Sequence, residues 1–385
     1  MEENQFLVFC RMTAIILGTT ALKAGAIETT PDSLACVADS AAVTTVAADS
    51  VRHSNTYWIK QLWDNGFHIN APGVEYPRFP RFLLKVYNWG DRIFNGYDPD
   101  YVVSTGKNWK ILGKSYNWQE NYSLLFSHGN LHIVSDIYAD IGGYLCFMAV
   151  SVGYMFNANE IIGDKHDTRT NFNFNFTCSR FWVDFQKTST RGGARVFKRH
   201  QKSMPFEDIS NKMTQLSALY FFNNRRYSHA AAYCFSKYQL KSAGSWIAGF
   251  LYSRQDISMD FNDLPPEVLE GLPDTLPAYR FNYSDYTLTG GYAYNWALRP
   301  RRWLFNVTAA LGFGLKHAHE NNSDNTDSNR SLLASNGQLS LGLVYNHRAL
   351  FAGLQVRGIG HFYFNSNYTF LNALSSATLT VGARF

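Results

Sequence analysis

Ser104-Thr105-Gly106-Lys107 invites comparison with a phosphate loop, in which backbone N–H groups cradle phosphate and a lysine reaches it. The spacing is against it. The motif's first glycine would fall at Tyr101, and Lys107 is followed by Asn108 rather than Ser or Thr. Asp98-Pro99-Asp100 carries two carboxylates, but the rest of a calcium loop is missing and a solvated turn accounts for them. His317 and His319, two apart on a strand end, face the same way near Glu320, Asp324 and Asp327, from which a divalent metal could draw ligands. A polar loop collects such residues without a metal, so neither metal nor other cofactor is expected.

For hydrolysis, the candidates are Ser127 and Asp136 with His128 or His132, and Ser228 with His229. These supply the nucleophile, base and orienting acid that such chemistry needs. No G-x-S-x-G elbow frames these serines. Adjacent Ser and His in a loop are common by chance. A non-catalytic protein is expected, with a membrane-embedded hydrolase of lipid or peptide as the alternative. The five cysteines (Cys10, Cys36, Cys146, Cys178, Cys234) show no CxxC pair or regular spacing, which argues against a disulfide framework or zinc site.

The elements that must position these residues are strands. Aromatics make up 16% of the 385 residues and charged residues only 17%, below the roughly 25% charged fraction of ordinary globular proteins. Such a composition suits antiparallel β structure and the Tyr- and Trp-rich belts of membrane interfaces. The net charge of +5 is spread out, with no Lys/Arg block, so no nucleic-acid partner is expected.

Period-2 alternation recurs along the chain. In "SATLTVGARF", Ala377, Leu379, Val381, Ala383 and Phe385 share one face. In "RRWLFNVTAALGFGL", Trp303, Phe305, Val307, Ala309, Leu311, Phe313 and Leu315 oppose Asn306, Thr308, Ala310, Gly312 and Gly314. "GQLSLGLVYN" and "NFNFNF" repeat the pattern. These runs of roughly 9–15 residues exceed the 5–6 of soluble sheets and match tilted membrane strands. Strands are expected near 119–126, 131–138, 143–156, 169–177, 180–188, 194–199, 213–223, 227–237, 245–257 and 278–297, then in four more from Trp303.

Connections alternate in length, with long polar loops at 316–330 and 263–277. Tight turns fall at Arg299-Pro300-Arg301, Asn346–Arg348 and Leu240–Gly244. Short on one side and long on the other is the habit of outer-membrane barrels, whose short turns are periplasmic.

The N-terminus reads differently. Arg11 precedes the apolar run "MTAIILGTTALKAGA", which ends in Ala24-Gly25-Ala26, so a secretory signal over 1–26 is expected. Residues 27–51, rich in Ala, Thr, Ser and Val, read as a flexible linker, and 52–118 as a periplasmic segment with short helices. No run reaches the roughly 18–20 apolar residues that a spanning helix needs.

The run "NWGDRIFNGYDPDYVVSTGKNWK", with "NWQENYSLLF" and "DIYADIGGYLCFMAVSVGYMFN", resembles a bacterial family built on a domain of unknown function of outer-membrane β-barrel type. The likeness runs from about residue 80 to 385. Its motif positions are Asn88, Trp89, Gly90, Asp91, Tyr97, Asp98, Thr105, Gly106, Lys107 and Trp109. The resemblance implies a location and an architecture and supplies no activity.

The expectation is therefore an all-β, transmembrane, antiparallel up-and-down β-barrel over 119–385, of about twelve strands (ten to fourteen), in the bacterial outer membrane. Trp303, Tyr294, Trp296, Tyr345 and Phe385 would form its periplasmic aromatic interface, with Phe385 as the assembly signal. The role expected is a small pore or a structural barrel binding lipid or a partner. Expected partners are outer-membrane lipid, the barrel-assembly machinery, and an unidentified small solute or periplasmic partner. A secreted soluble β-sandwich is the third reading.

Overall fold

The structure is a computed structural model. It describes residues 96–107, 109–126, 129–147, 150–158, 168–198, 203–269, 278–319, 333–364 and 368–385, with positions 82, 85, 89 and 90 before them. The chain divides into two compact units, Met1–Arg92 and Ile93–Phe385, and every described strand lies in the second. The expected signal and linker lie outside the described residues.

Strand β1 (Val102–Ser104) precedes the wall, which opens with β2 (Trp109–Phe126). Next come β3 (Asn130–Ser135), β4 (Tyr138–Phe147), β5 (Val150–Asn157), β6 (Thr168–Thr177) and β7 (Phe181–Arg191). Short β8 (Ala194–Phe197) and β9 (Met204–Phe206) lead to β10 (Ile209–Phe221). A five-residue helix α1 (His229–Tyr233) and β11 (Lys237–Gln239) come before β12 (Ala243–Asp260). Helix α2 (Pro266–Leu269) follows, and then β13 (Ala278–Arg299), β14 (Trp303–Ala318), β15 (Leu333–His347), β16 (Leu350–Phe364) and β17 (Tyr368–Arg384).

The wall runs β6-β7-β10-β12-β13-β14-β15-β16-β17-β2, antiparallel at every step. Within it β17 lies beside β2, in register from Tyr368↔Phe126 to Arg384↔Lys110. The lower half of β2 also pairs with β4, and β4 with β5. Among the described residues β5 and β6 share no ladder and are the two edges of this curled sheet.

The faces are reversed relative to a soluble sheet. Outward on β13 and β14, Leu288 is 75% exposed and Phe313 68%, while inward Asn295 and Asn306 are 0%. A water-soluble protein hides its large apolar side chains and leaves its amides wet. Over the middle of β13 and β14 this wall does the opposite.

Four features differ from the sequence reading. The segment 227–237, read as a strand, is α1 followed by a turn. Its "HAAAY" run has the alanine content that favours helix, and Ser228 caps it. The turn assigned to Leu240–Gly244 is only the end of a long connection, 222–242, so short and long connections are not fully sorted by side. The expected strand 143–156 is a hairpin of β4 and β5. The wall starts at Trp109 rather than 119, because Trp109 pairs its backbone with Phe385 in both directions (3.0 and 3.2 Å). Segments 131–138 and 194–199 do form strands, but β3, β8 and β9 make a small branch off the upper half of β2.

Candidate functional site, a capped polar lumen

The connection 222–242 tucks into the lower end of the barrel, the end that holds Arg299, Trp303 and Phe385. Asn223 starts it, its Nδ2 donating to the Gly244 carbonyl and its backbone N–H to Ser245 Oγ. Ser228 Oγ accepts from the Ala231 N–H at 3.2 Å, beginning α1 with a standard cap. Alanines at 230–232 are buried, which lets the helix sit close against the wall.

Aromatic rings fasten the cap. His229 lies 4.4 Å from Tyr233 and 5.0 Å from Phe221, centroid to centroid. Burial, with the Arg357 guanidinium nearby, lowers the His229 pKa to about 3, so the ring is neutral at ordinary pH. Burial likewise raises the Tyr227 and Tyr233 phenols. Tyr233 donates to Asn306 Oδ1 at 2.6 Å, and Asn295 Nδ2 donates to the Ser228 carbonyl at 2.9 Å. Phe235, at φ 56°, stacks on Phe351 at 4.8 Å. A Cβ on Gly353 would come within 2.4 Å of that Phe235 ring, so the wall is bare where the cap lands.

The motif residues before the barrel serve this cap. β1 pairs with β11, the Asp98 N–H donates to the Arg225 carbonyl at 2.8 Å, and the Leu240 N–H to the Tyr101 carbonyl at 2.7 Å. Asp98 Oδ1 accepts from the Asp100 N–H, closing the turn seen in the sequence. Tyr97 places its hydroxyl in the interior, and burial pushes its pKa up. Thr105 donates to the Ser236 carbonyl at 3.3 Å, and Gly106 takes φ 73°, which explains the glycine before Lys107 without a phosphate. Trp89 and Gly90 belong to the other compact unit, and Asn88 and Asp91 lie outside the described residues.

Above the cap the lumen is polar and crossed by side chains. Asp184 on β7 meets Arg357 on β16 at 2.6 Å, and Asn372 on β17 donates to Gln255 on β12 at 2.7 Å. Glu120 on β2 accepts from Thr190 on β7 and from Asn211 on β10 at 2.9 and 2.8 Å. These pairs join strands that are not neighbours in the wall, so they span the interior. At the upper end an apolar cluster including Ile133, Val268, Phe281 and Phe370 closes over it, with the last two rings stacked at 3.9 Å.

The other candidates fall elsewhere. His132 contacts Ser123 Oγ at 2.9 Å, its register partner across β2 and β3, an ordinary cross-strand pair. Asp136 pairs with Arg195 at 3.7 Å rather than with a histidine. Ser127 and His128 lie outside the described residues. Ser228 spends its hydroxyl on the helix cap. His317 and His319 meet edge to face at 5.3 Å, and His319 contacts the buried Ser284 hydroxyl at 2.9 Å. Glu320, Asp324 and Asp327 lie outside the described residues. Trp303 and Tyr345 are register partners with rings 4.6 Å apart, Tyr294 and Trp296 are equally close, and Phe385 is exposed; all sit toward the lower end.

A family profile described as "Domain of unknown function (DUF4421)" matches residues 96–385, the whole span from cap motif to closing strand. The chain belongs to that family. The match begins where the cap-forming segment begins, so the DUF4421 domain takes in the cap strand β1 together with the wall. No curated protein matches the sequence. Among solved structures, the outer membrane protease OmpT from Escherichia coli is 9% identical at a TM-score of 0.34, covering 75% of this chain and 98% of that one. The translocator domain of the autotransporter NalP from Neisseria meningitidis is 11% identical at 0.27, covering 82% and 100%. The outer membrane protein OprG from Pseudomonas aeruginosa is 10% identical at 0.22, covering 74% and 99%. At these scores the likenesses carry nothing about activity, and the fold rests on the ladders above.

Sequence reasoning missed the cap itself. Helix-favouring alanines in "HAAAY" were its one local signal. Of its inward anchors, Lys110 ends the family-like run and Arg384 falls in the last strand, and nothing in the sequence ties either to the cap.

Proposed function

We propose that this chain is a bacterial outer-membrane β-barrel that acts without catalysis and without an open pore, as a structural barrel that binds lipid or a partner. The observation that carries this reading is the reversal of faces, with large apolar side chains outward along the wall and amides, hydroxyls and ion pairs inward. Only a solvent without hydrogen-bonding capacity rewards that arrangement, and only a helix or a barrel wall satisfies its own backbone there. Belonging to the same proposal are the signal over 1–26, recognition by the barrel-assembly machinery, and lipid as the standing partner.

The closed lumen supports a structural barrel over a pore. The α1 cap fills the lower end, the Phe281 and Phe370 cluster the upper, and cross-lumen pairs lie between. Separation of membrane and periplasmic fractions tests the location, and recovery in the soluble periplasm would remove it. Planar-bilayer recordings test the closed lumen: a silent membrane is expected, and steady channels in the parent protein would return the pore.

A further inference from the structure

The lower rim holds a cavity of about 360 Å³ whose walls include Arg301, Arg302, His347 and Arg348. Asn346 and Tyr238 also line it, and both are held by Arg384, at 2.6 and 3.2 Å. No carboxylate lines the cavity, and none of the ion pairs among the described residues uses Arg301, Arg302 or Arg348. Three arginines thus line one concavity that no carboxylate lines. Their surroundings reinforce the charge. In the described connections at this end, the acidic residues are Asp98 and Asp100, while 222–242 alone carries Arg225, Arg226, Lys237 and Lys241.

Two of the three arginines stand where the turn calls for another residue. Arg302 N–H donates to the Arg299 carbonyl at 2.8 Å around Pro300, the pattern of a type II turn, whose third position takes φ > 0 and prefers Gly or Asn. Arg301 occupies it at φ 60°. In the neighbouring hairpin, His347 pairs with Leu350 across a two-residue loop, whose first position prefers Gly, Asn or Asp. Arg348 occupies that one at φ 52°. Two separate turns therefore accept a left-handed arginine, and both residues line the same cavity.

We propose that this cavity binds a phosphate ester, with Arg301, Arg302 and Arg348 as its ligands. Guanidinium forks match the paired oxygens of a phosphate and keep their charge at any accessible pH. The phosphate can come from a phospholipid headgroup or from a soluble ester. Trp303 directly follows Arg302 and packs on Tyr345 on the outer face, so a lipid's chains would find an apolar path beside the site. Only the lipid source rests on the membrane reading.

The test uses the full chain in a phosphate-free maltoside detergent, titrated calorimetrically with dihexanoyl phosphatidylglycerol and, separately, with glycerol 1-phosphate. Binding of the lipid alone or of both supports the site and names the lipid source; binding of glycerol phosphate alone supports it and names the soluble one. The double variant R301G/R348G is expected to lose at least about tenfold in affinity per arginine. Because glycine relieves both turns, its thermal midpoint is expected to rise. Should that variant fail to fold, Arg302→Gln, which alters neither left-handed position, carries the same expectation of weakened binding. A parent that binds neither probe, or folded variants that bind as the parent does, would overturn the proposal. Glycerol phosphate needs no membrane, so recovery of the chain as a soluble protein would end the membrane reading and leave this measurement decisive.

Discussion

Arg384 and Lys110 are register partners on β17 and β2, and both turn inward to hold consecutive carbonyls of the cap. Arg384 Nε donates to the Phe235 carbonyl at 2.9 Å, and Lys110 Nζ to the Cys234 carbonyl at 2.8 Å. The strand pair that brings the C-terminal end of the chain onto the first wall strand therefore also locks the cap.

Removing Arg384 would leave the Phe235 carbonyl and Asn346 Oδ1 buried without their donor, at a cost of roughly 1–3 kcal/mol for each group left unsatisfied. Arg384→Gln is expected to open the cap while the wall stays assembled. Hydrogen exchange across 227–239 should accelerate, and channels should appear in planar bilayers where the parent is silent. Lys110→Met, which removes one bond only, should have a smaller effect in the same direction.

A second route to the same state is steric. Gly353 lies under the Phe235 ring with no room for a Cβ. Gly353→Val is expected to expel Phe235 from its place on Phe351 and to expose 227–239 to protease, without loss of heat-resistant wall structure.

Acid should loosen the cap as well. The folded His229 pKa is lowered to about 3 from an ordinary 6.5, so the unfolded segment binds the extra proton between those values. Stability from a neutral, buried His229 is complete above pH 6.5 and falls as pH drops toward 3. At pH 5 the loss is roughly 2 kcal/mol. Exchange across the cap should rise between pH 7 and pH 5 in the parent. His229→Phe, with nothing to protonate, should flatten that rise.

On the outer face, Leu288→Arg places a charge midway along β13. A cost of roughly 2–4 kcal/mol is expected if that face meets lipid. Assembly yield in the membrane fraction should fall sharply, while Thr287→Ser on the inward face should leave it unchanged.

How much was legible in the sequence differs by element. In β14, and in β17 over 377–385, apolar residues repeat on one face, so strand and faces can be read without coordinates; the register cannot, since 376–384 lie against 110–118 of β2. The cap could not be read either. "HAAAYCF" is short and apolar, and such runs look alike as strand or buried helix. What decides it is Ser228 Oγ reaching the Ala231 N–H, and Gly353 making space more than a hundred residues away. The run Tyr97–Lys107 was visible as a motif, but its partner β11 lies too far along the chain for spacing to reveal. The arginines at 301 and 348 were visible only as turn residues, since their common cavity depends on two hairpins standing side by side.

The most direct measurement is electrophoresis of the membrane-extracted chain with and without boiling. A wall held by continuous antiparallel ladders, apolar outward, resists detergent until heated. The unboiled protein should therefore migrate faster than the boiled one, from the membrane fraction. A single unshifted band, with the chain recovered in the soluble fraction, would contradict the account.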